Sequence, residues 1–478
     1  MQSRSHAKGP FFTAATAVAL WCACLHAAET CRADPGWKAG VASVVVTPPS
    51  PMPMAGGASP APSTGTIHDL YAKALALEDA QGTRLVSVTM DICMIPMELR
   101  QAMEEEVARR FQLPPESLLL NASHTHSGPE TRPKRVVLYG FSPEGIRQVE
   151  RYLVWLQGKL IDVIGQALED LGPANLSFSR DQATFACNRR LKTEKGYRMA
   201  HDPEGPVDHD VPVLQVKGPD GKLRAVLFGY ACHAVAFTNR NICGDYPGFA
   251  QRAIEQAQPG AVALFLAGCG GDQRPYPSGS LELAERYGQQ LAEAVGRASA
   301  SEAHPVRGPL RLALEQVALE FDTPPSREEL VRQTKAMQGI PRRRAETLLK
   351  QLDETGTLCK TYPYYVHVVR FGDDLILVAL AWEVVVDYSL RLKKELDGPN
   401  VWVAGYSNEA FNYLPSLRVL QEGGYEAGGS LLGYTRAPSR LAPSVERLVV
   451  EKVKELVEKT RPSSCDRRDP KATGPAER

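Results

Sequence analysis

Residues 118–130 have the sequence LLLNASHTHSGPE, in which an apolar run leads directly into a histidine pair. The three leucines predict a buried strand, and His124 and His126 follow it two residues apart. If the period of two continues beyond the strand, both imidazoles face one cleft. Neutral imidazole is a common transition-metal ligand, so the pair indicates a metal site, although two histidines in a turn can also be ordinary loop residues.

Two later stretches repeat this layout of an apolar strand followed by polar residues. In residues 227–250 (LFGYACHAVAFTNRNICGDYPGFA) the strand ends at His233, and a Gly-Asp turn containing Asp245 leads into a helix. In residues 261–277 (AVALFLAGCGGDQRPYP) a strand runs into a glycine-rich turn containing Asp272. A turn without side chains lets a ligand approach the backbone amides, or it serves only as a tight strand–helix connection.

A fourth stretch, residues 375–389 (LILVALAWEVVVDYS), places Glu383 within an apolar run that continues to Val386. The pattern predicts that Glu383 is buried inside a strand. A buried carboxylate is costly unless it is paired, hydrogen-bonded or bound to a metal. Glu383 is therefore the strongest functional candidate on physical grounds alone.

The order of elements predicts an α/β fold with mixed β-sheet layers and flanking helices. We expect a single domain over residues 35–460, with a basic helical hairpin inserted at residues 326–352. The arginine run at 342–344 is expected to form a solvent-facing surface of that hairpin rather than an anion site. Residues 364–381 predict a β-hairpin around Gly-Asp-Asp. The other expected helices cover residues 96–111, 144–171, 247–256, 281–298 and 443–458.

Composition excludes several classes of protein. The chain has 478 residues, with 55 Lys and Arg against 55 Asp and Glu, and it is 43% hydrophobic and 23% charged. A chain with zero net charge lacks the excess of basic residues that is typical of a nucleic-acid binder. The hydrophobic and charged fractions argue against disorder and against a multi-span membrane protein. The composition is that of a globular protein with no nucleic-acid partner.

The two ends of the chain depart from this average. Residues 11–28 carry no charge and follow Arg4 and Lys8, which is typical of a secretory signal over residues 1–28, although an N-terminal membrane anchor is the alternative. A signal implies a secreted or periplasmic protein with no transmembrane segment after its removal. The tail, residues 461–478, is expected to be disordered. Eight of the 10 cysteines follow the signal, and their pairing cannot be deduced from their spacing.

Taken together, these segments resemble the N-terminal catalytic domain of the neutral/alkaline (non-lysosomal) ceramidase family. The matching pieces occur in the family's order and span residues 41–433. When it occurs together with the other pieces, the SHTHSGP motif is specific for this family. The pieces are GTIHDLYAKALALED (65–79), VSVTMD (86–91), SHTHSGP (123–129), CNRR (187–190), GYACHAV (229–235), CGDYPGFA (243–250), AGCGGD (267–272), AWE (381–383), AGYSNEAFNYLPS (404–416) and GGYE (423–426).

The resemblance implies a zinc ion held by two histidines, a glutamate and a tyrosine. At the matching positions of this sequence these ligands are His124, His233, Glu383 and Tyr413. Two neutral nitrogens and a carboxylate are a common set of zinc ligands, which agrees with the chemistry indicated by the residues themselves.

Other positions correspond as well. The resemblance implies an active-site histidine beside the metal at His126, a substrate-contacting arginine at Arg189 and a tyrosine lining the site at Tyr425. Asp245 and Asp272 match acidic residues of two Gly-Asp turns, and we expect them to support the metal ligands or to cap the turns.

The sequence also departs from the family. By the resemblance, ceramide-cleaving members have a catalytic serine at the position of Gly268, which has no hydroxyl group, so ceramide as substrate does not follow. Gly268 remains a candidate for contact between substrate and backbone, and Cys269 beside it is an alternative nucleophile. Glu130 and Thr131 replace family glycines. The family's C-terminal immunoglobulin-like domain is expected to be absent, so the chain is interpreted as a divergent member.

Two reactions and one non-enzymatic role are consistent with these residues. In the first reaction, zinc-activated water cleaves an amide (N-acyl) or ester bond of a small or lipid-like substrate, with His126 moving the proton and Arg189 and Tyr425 stabilising the oxyanion. In the second, Cys269 attacks instead. The third possibility is a catalytically weak protein that binds a ligand in the same cleft. The first is preferred because metal-activated water needs no side-chain nucleophile.

Overall fold

The computed structural model describes residues 36–56, 61–398, 400–434 and 436–461. The expected signal at 1–28 and the expected disordered tail beyond residue 461 lie outside the described residues. Within them, strands alternate with helices and the sheets are mixed, so the expected α/β class is confirmed.

Two lists give the elements in chain order. The strands are β1 (Trp37–Val45), β2 (Gly65–Thr66), β3 (Tyr71–Asp79), β4 (Arg84–Met90), β5 (Leu118–Ala122), β6 (Gly172–Gln182), β7 (Ala186–Thr193), β8 (Gly196–Asp202), β9 (Asp210–Lys217), β10 (Leu223–Tyr230), β11 (Asn241–Ile242), β12 (Val262–Ala267), β13 (Gln273–Pro275), β14 (His304–Val306), β15 (Leu310–Glu320), β16 (Thr361–Phe371), β17 (Leu375–Leu380), β18 (Glu383–Val384), β19 (Val401–Ala404) and β20 (Tyr413–Leu414). The helices are α1 (Met97–Phe111), α2 (Pro133–Tyr139), α3 (Pro143–Glu169), α4 (Asp245–Ala257), α5 (Leu281–Ala300), α6 (Arg327–Ala336), α7 (Gly339–Thr355), α8 (Val386–Glu395), α9 (Leu417–Glu422) and α10 (Val445–Lys459).

Two sheets packed against each other form the centre of the fold. The larger has the order β12-β10-β9-β6-β1-β3-β4-β5, with β14 beside β6, and its β4–β5 and β10–β12 pairs are parallel. The smaller has the order β15-β16-β17-β19. Leu77 and Leu264 of the larger sheet share one apolar core with Val369, Leu377 and Trp402 of the smaller. Burial of these apolar side chains from water is the main force that holds the two sheets together.

Helices cover the outer face of each sheet. Helix α3 packs on β1 and β3, helix α5 on β6 and β9, and helix α10 on β15 and β16. Their apolar residues recur at helical spacing: Leu156, Leu160 and Val163 of α3 are fully buried. The layers are therefore helix, sheet, sheet, helix.

The ends of several strands meet where the two sheets adjoin. The backbone N–H of Ala267 at the end of β12 donates to the side-chain oxygen of Asn121 in β5 (2.8 Å). An isolated bridge joins Asn121 to Ser407, and another joins Gly268 to Ala404 of β19. The polar residues that follow β5, β10, β12 and β17 are consequently brought to one region of the molecule.

The prediction that Glu383 lies inside an apolar strand is wrong in one respect. Strand β17 ends at Leu380, and Trp382 has a left-handed backbone with φ of 67°. The chain turns there, so Glu383 begins the short strand β18 and pairs in parallel with Tyr413 of β20. The carboxylate is buried, as predicted, but Glu383 lies beyond the end of β17, and its side chain points toward the two histidines that follow β5 and β10.

Candidate metal centre

Two imidazoles converge on one buried carboxylate oxygen. The Nε2 atoms of His124 and His233 each lie 3.1 Å from Oε2 of Glu383. All three side chains are at most 2% exposed. A third imidazole lies beside them, since Nε2 of His126 is 3.0 Å from Nε2 of His124. One atom from each of His124, His233 and Glu383 fits a single cation site.

Backbone carbonyls set the tautomers of the two histidines. Nδ1 of His124 donates to the carbonyl oxygen of Cys93 (2.8 Å), and Nδ1 of His233 donates to that of Gly270 (2.6 Å). With a proton on each Nδ1, the lone pair of each Nε2 points toward Glu383. A metal-binding histidine almost always has its second nitrogen fixed in this way, so the residues present fit a zinc ion.

The charges of the cluster favour a cation at its centre. Burial would raise the pKa of Glu383, yet the two adjacent imidazoles hold that pKa well below its usual range. Burial likewise opposes charge on His124, but the Glu383 carboxylate raises the pKa of His124 to about 10. Burial and the positive charge of Arg189 lower the pKa of His233 to about 4. Without a metal, the Glu383 carboxylate therefore stabilises a proton on His124, and a divalent cation would replace that proton at the same place.

Tyr413 and Arg189 close one side of the cluster. The hydroxyl oxygen of Tyr413 is 3.4 Å from Nε2 of His233, and Nη2 of Arg189 donates to that hydroxyl (3.0 Å). Nε of Arg189 donates to the carboxylate of Glu426 (2.9 Å), which fixes the plane of the guanidinium. Burial raises the pKa of Tyr413 well above its usual range, with Glu383 adding to the rise and Arg189 opposing it.

Tyr425 lies farther out. Its ring centroid is 5.5 Å from that of Tyr413, and the residue is 43% exposed. The guanidinium of Arg189 lies 5.5 Å from the Tyr413 ring and 6.0 Å from the Tyr425 ring. Tyr425 therefore lies at the solvent side of the cluster, where an incoming substrate would meet it.

The two aspartates hold the backbone around the cluster. Asp245 accepts hydrogen bonds from the backbone N–H groups of Ala236 (3.2 Å) and Phe237 (2.9 Å), just after His233. Asp272 accepts from the backbone N–H of Val386 (2.9 Å) and from the Asn188 side chain (3.1 Å). These bonds fix the segments that carry His233, Glu383 and Arg189.

The glycine-rich turn does not bring Cys269 to the imidazoles. The thiol packs in the core of the smaller sheet with Val384 and Tyr388, and it is 1% exposed. Burial raises the pKa of this thiol far above its usual range, whereas a nucleophilic cysteine needs a lowered pKa. Gly268 is also enclosed: a Cβ there would lie 3.1 Å from the backbone of Tyr230 and Ala231, which leaves little room for substrate. The structure thus argues against both sequence-based expectations for this turn.

If the chain is a zinc hydrolase, we expect Cys269→Ala to keep its zinc content and its turnover within about twofold, because the thiol lies in the core. We expect only a modest loss of stability, roughly 1 kcal/mol, from the small cavity that remains. Elemental analysis, steady-state kinetics and thermal unfolding measure the three quantities. A folded variant that keeps its zinc but has no turnover would restore Cys269 as nucleophile.

Three neighbours of the cluster were not singled out as site residues from the sequence. Sγ of Cys93 lies 3.7 Å from Nδ1 of His124, the Tyr406 ring centroid lies 4.6 Å from that of His124, and Glu426 orients Arg189. Cys93 lies just beyond the end of β4, the parallel neighbour of β5. This position after a strand end is the sequence feature that could have identified Cys93 as a neighbour of the cluster.

Comparison with known proteins gives consistent results. The model of the N-terminal domain of neutral/alkaline non-lysosomal ceramidase matches residues 37–286. Neutral ceramidases A and B of Dictyostelium discoideum are each 26% identical, over 47% and 44% of this chain and 34% and 31% of their own lengths. The chain thus spans about a third of these curated relatives. The crystal structure of neutral ceramidase from Pseudomonas aeruginosa matches with a TM-score of 0.68 and 18% identity, over 90% of this chain and 76% of that one, which shows the same fold.

No helix among residues 36–56, 61–398, 400–434 and 436–461 is long and apolar enough to span a bilayer.

Proposed function

Because this chain belongs to the neutral/alkaline non-lysosomal ceramidase family, which consists of metal-dependent hydrolases, we propose that it is an exported zinc hydrolase that cleaves an amide (N-acyl) or ester bond. One observation carries the proposal: the Nε2 lone pairs of His124 and His233 meet the carboxylate of Glu383. Tyr413 supplies a phenol oxygen beside them. Export rests on the uncharged stretch at residues 11–28, which lies outside the described residues.

The four side chains would hold the zinc ion, and the ion would lower the pKa of a water molecule and polarise the scissile carbonyl. His126 is placed to accept the proton of the attacking water and to pass it to the leaving group. It adjoins His124 and also lines a cavity of about 300 Å³ together with Met54, Thr238 and Arg240. The backbone of Gly56 packs against His126 so closely that a Cβ there would lie 2.5 Å from the Cβ of His126, which fixes the imidazole.

Arg189 and Tyr425 would stabilise the negative charge that develops on the carbonyl oxygen. Arg189 is buried and held by Glu426, so it needs no reorganisation during the reaction. Preorganised donors of this kind contribute most in a site from which water is excluded. The partly exposed ring of Tyr425 offers an apolar surface and a hydroxyl at the entrance.

A lipid-like N-acyl compound is the substrate class that the family favours. The curated relatives named above are neutral ceramidases, and this chain matches about a third of their length, so their substrate need not be the substrate here. We propose an acyl chain joined to a small polar amine.

The test is hydrolysis of a panel of N-acyl compounds with different chain lengths and amines by the purified mature chain. We expect one group of substrates to turn over, activity to disappear on treatment with a chelator, and zinc to restore it. Activity that survives complete removal of metal would contradict the proposal. A zinc-loaded chain that cleaves no member of the panel would contradict the proposed substrate class.

A further inference from the structure

A second cavity lies near the metal centre, and the proposed reaction does not use it. It has a volume of about 140 Å³, and its walls come from five parts of the chain. Glu409, Ala410 and Phe411 line it just before Tyr413, so it shares a segment with the metal centre. Its apolar lining includes Pro96, Met97, Leu138, Leu153, Ala410 and Phe411.

Positive charge exceeds negative charge around this cavity. The lining cations are Arg132, Lys134, Arg135 and Arg436. Against these four there are three carboxylates, namely Glu98 and Glu409 in the lining and Glu130 behind Arg132. Burial raises the pKa of Glu409 to about 7, so even this carboxylate is partly protonated at neutral pH. An apolar cavity with excess positive charge is complementary to an amphiphilic anion.

Arg132 has unused hydrogen-bonding capacity in this lining. It is 7% exposed, and its Nε and Nη2 donate to Glu130 at 2.7 and 2.9 Å. Its Nη1 has no acceptor among the described residues. A buried charged donor without a partner costs free energy, and a ligand oxygen would remove that cost.

The walls of the cavity are held in place by helix α7. Arg344 donates to the backbone carbonyls of Tyr434 (2.9 Å), Ala437 (2.6 Å) and Pro438 (3.1 Å). Arg343 donates to the carbonyl of Leu138 (2.5 Å). Two arginines of the basic run therefore fix both sides of the cavity, so that it is preformed rather than created by its ligand.

We propose that this cavity binds an alkyl carboxylate, with the alkyl chain against Leu138, Leu153 and Phe411 and the carboxylate at the guanidinium of Arg132. A dry cavity of about 150 Å³ holds a molecule the size of benzene, so the volume suits a segment of roughly six carbons. Binding requires neither metal nor turnover, and the proposal therefore stands independently of the hydrolase activity.

Isothermal titration of the full-length purified chain with octanoate, and separately with octan-1-ol, tests charge and chain together. We expect octanoate to bind once per chain, and octan-1-ol to bind at least about tenfold more weakly because it lacks the charged acceptor. The same octanoate affinity is expected after treatment with a chelator. No octanoate binding, or equal affinity for the two compounds, would overturn the proposal.

A matched pair of substitutions on helix α3 locates the site. Leu153 is half-buried and lines the cavity, whereas its neighbour Val154 is 73% exposed and does not line it. Leu153→Trp should fill the cavity and weaken octanoate at least tenfold, and Val154→Trp should leave it unchanged. Equal affinity in both variants would place the ligand elsewhere. Arg436→Gln, at the rim, should weaken octanoate several-fold and leave octan-1-ol unchanged, and it carries the test if Leu153→Trp fails to fold.

Kinetics then identify the source of the carboxylate. If octanoate inhibits hydrolysis and Leu153→Trp removes the inhibition, the site holds the acid that the reaction releases. Binding without inhibition means that the carboxylate is taken from solution.

Discussion

We expect Glu383→Gln to lower the proposed hydrolysis of an N-acyl substrate by more than about 100-fold, which exceeds the roughly 10- to 100-fold loss that follows removal of a residue supporting a metal ligand. The substitution keeps the volume of the side chain but removes the negative charge that both imidazoles face at 3.1 Å. Without that charge the two neutral nitrogens bind a divalent ion weakly. Steady-state kinetics at a fixed total zinc concentration measure the loss.

The control for this variant is Glu409→Gln. Glu409 is also buried, at 1% exposed, and it accepts hydrogen bonds from Trp382, the residue before Glu383, and from Tyr362. It is not part of any group of potential metal ligands found among the described residues. We expect it to retain zinc and most of the activity. If both variants lost activity equally, the effect would come from the buried charge in this region rather than from a metal ligand.

We expect Arg189→Met to retain the proposed zinc ion and to lower kcat about 100- to 1000-fold, the usual effect of removing a preorganised donor to an oxyanion. The guanidinium donates to the Tyr413 hydroxyl (3.0 Å) and lies against both tyrosine rings, so its loss removes positive charge from the place where the carbonyl oxygen becomes negative. Because this charge develops in the transition state, we expect kcat to fall more than KM rises. Elemental analysis and steady-state kinetics on one preparation separate the two effects.

Arg190→Met is the matched comparison. Arg190 is adjacent and equally buried. It donates to the other oxygen of Glu426 (2.7 Å) and to the carbonyl of Gly423 (2.8 Å), whereas the donor to the Tyr413 hydroxyl is Arg189. This variant should lose stability with a smaller loss of kcat. An Arg189→Met enzyme with unchanged kcat would remove Arg189 from the mechanism.

Much of the fold could be predicted because the spacing of hydrophobic residues in the sequence matches the positions that are buried in the structure. The apolar stretches that became β5, β12 and β17 and the amphipathic stretches that became α3 and α5 are long and regular. The β7–β8 hairpin was not predicted, because Ala186–Thr193 and Gly196–Asp202 are rich in charged residues, and their pairing with each other and with β13 depends on tertiary contacts.

The candidate site shows the same division. His124 and His233 each follow a predicted strand, and Glu383 was identified as a carboxylate within an apolar run; these positions in the sequence made the three residues visible. Their approach depends on local backbone that the sequence does not display: His124 has φ of 61° and Trp382 has φ of 67°, both in the left-handed region that favours glycine. Such conformations at functional sites are maintained by the surrounding packing rather than by local preference.

The partners of Arg189 illustrate the second reason. Glu426 lies 237 residues farther along the chain, and nothing in the spacing of charged residues indicates that the two side chains meet. Within the turn at residues 268–272, Cys269 and Asp272 are only three residues apart, yet the thiol enters the core while the aspartate holds backbone beside the cluster. The sequence could indicate which turn matters, but not the direction of each side chain.

The measurement that tests the account most directly is the zinc content of the purified mature chain by elemental analysis, with His233→Ala prepared in parallel. The account predicts about one zinc ion per chain in the unmodified protein and loss of that ion in the variant. The substitution removes a nitrogen ligand whose ring is held between the carbonyl of Gly270 and the carboxylate of Glu383. Circular dichroism verifies that the variant is folded. Absence of metal from both folded proteins would contradict the proposal of a zinc hydrolase and favour a protein that binds ligand in the same cleft without cleaving it.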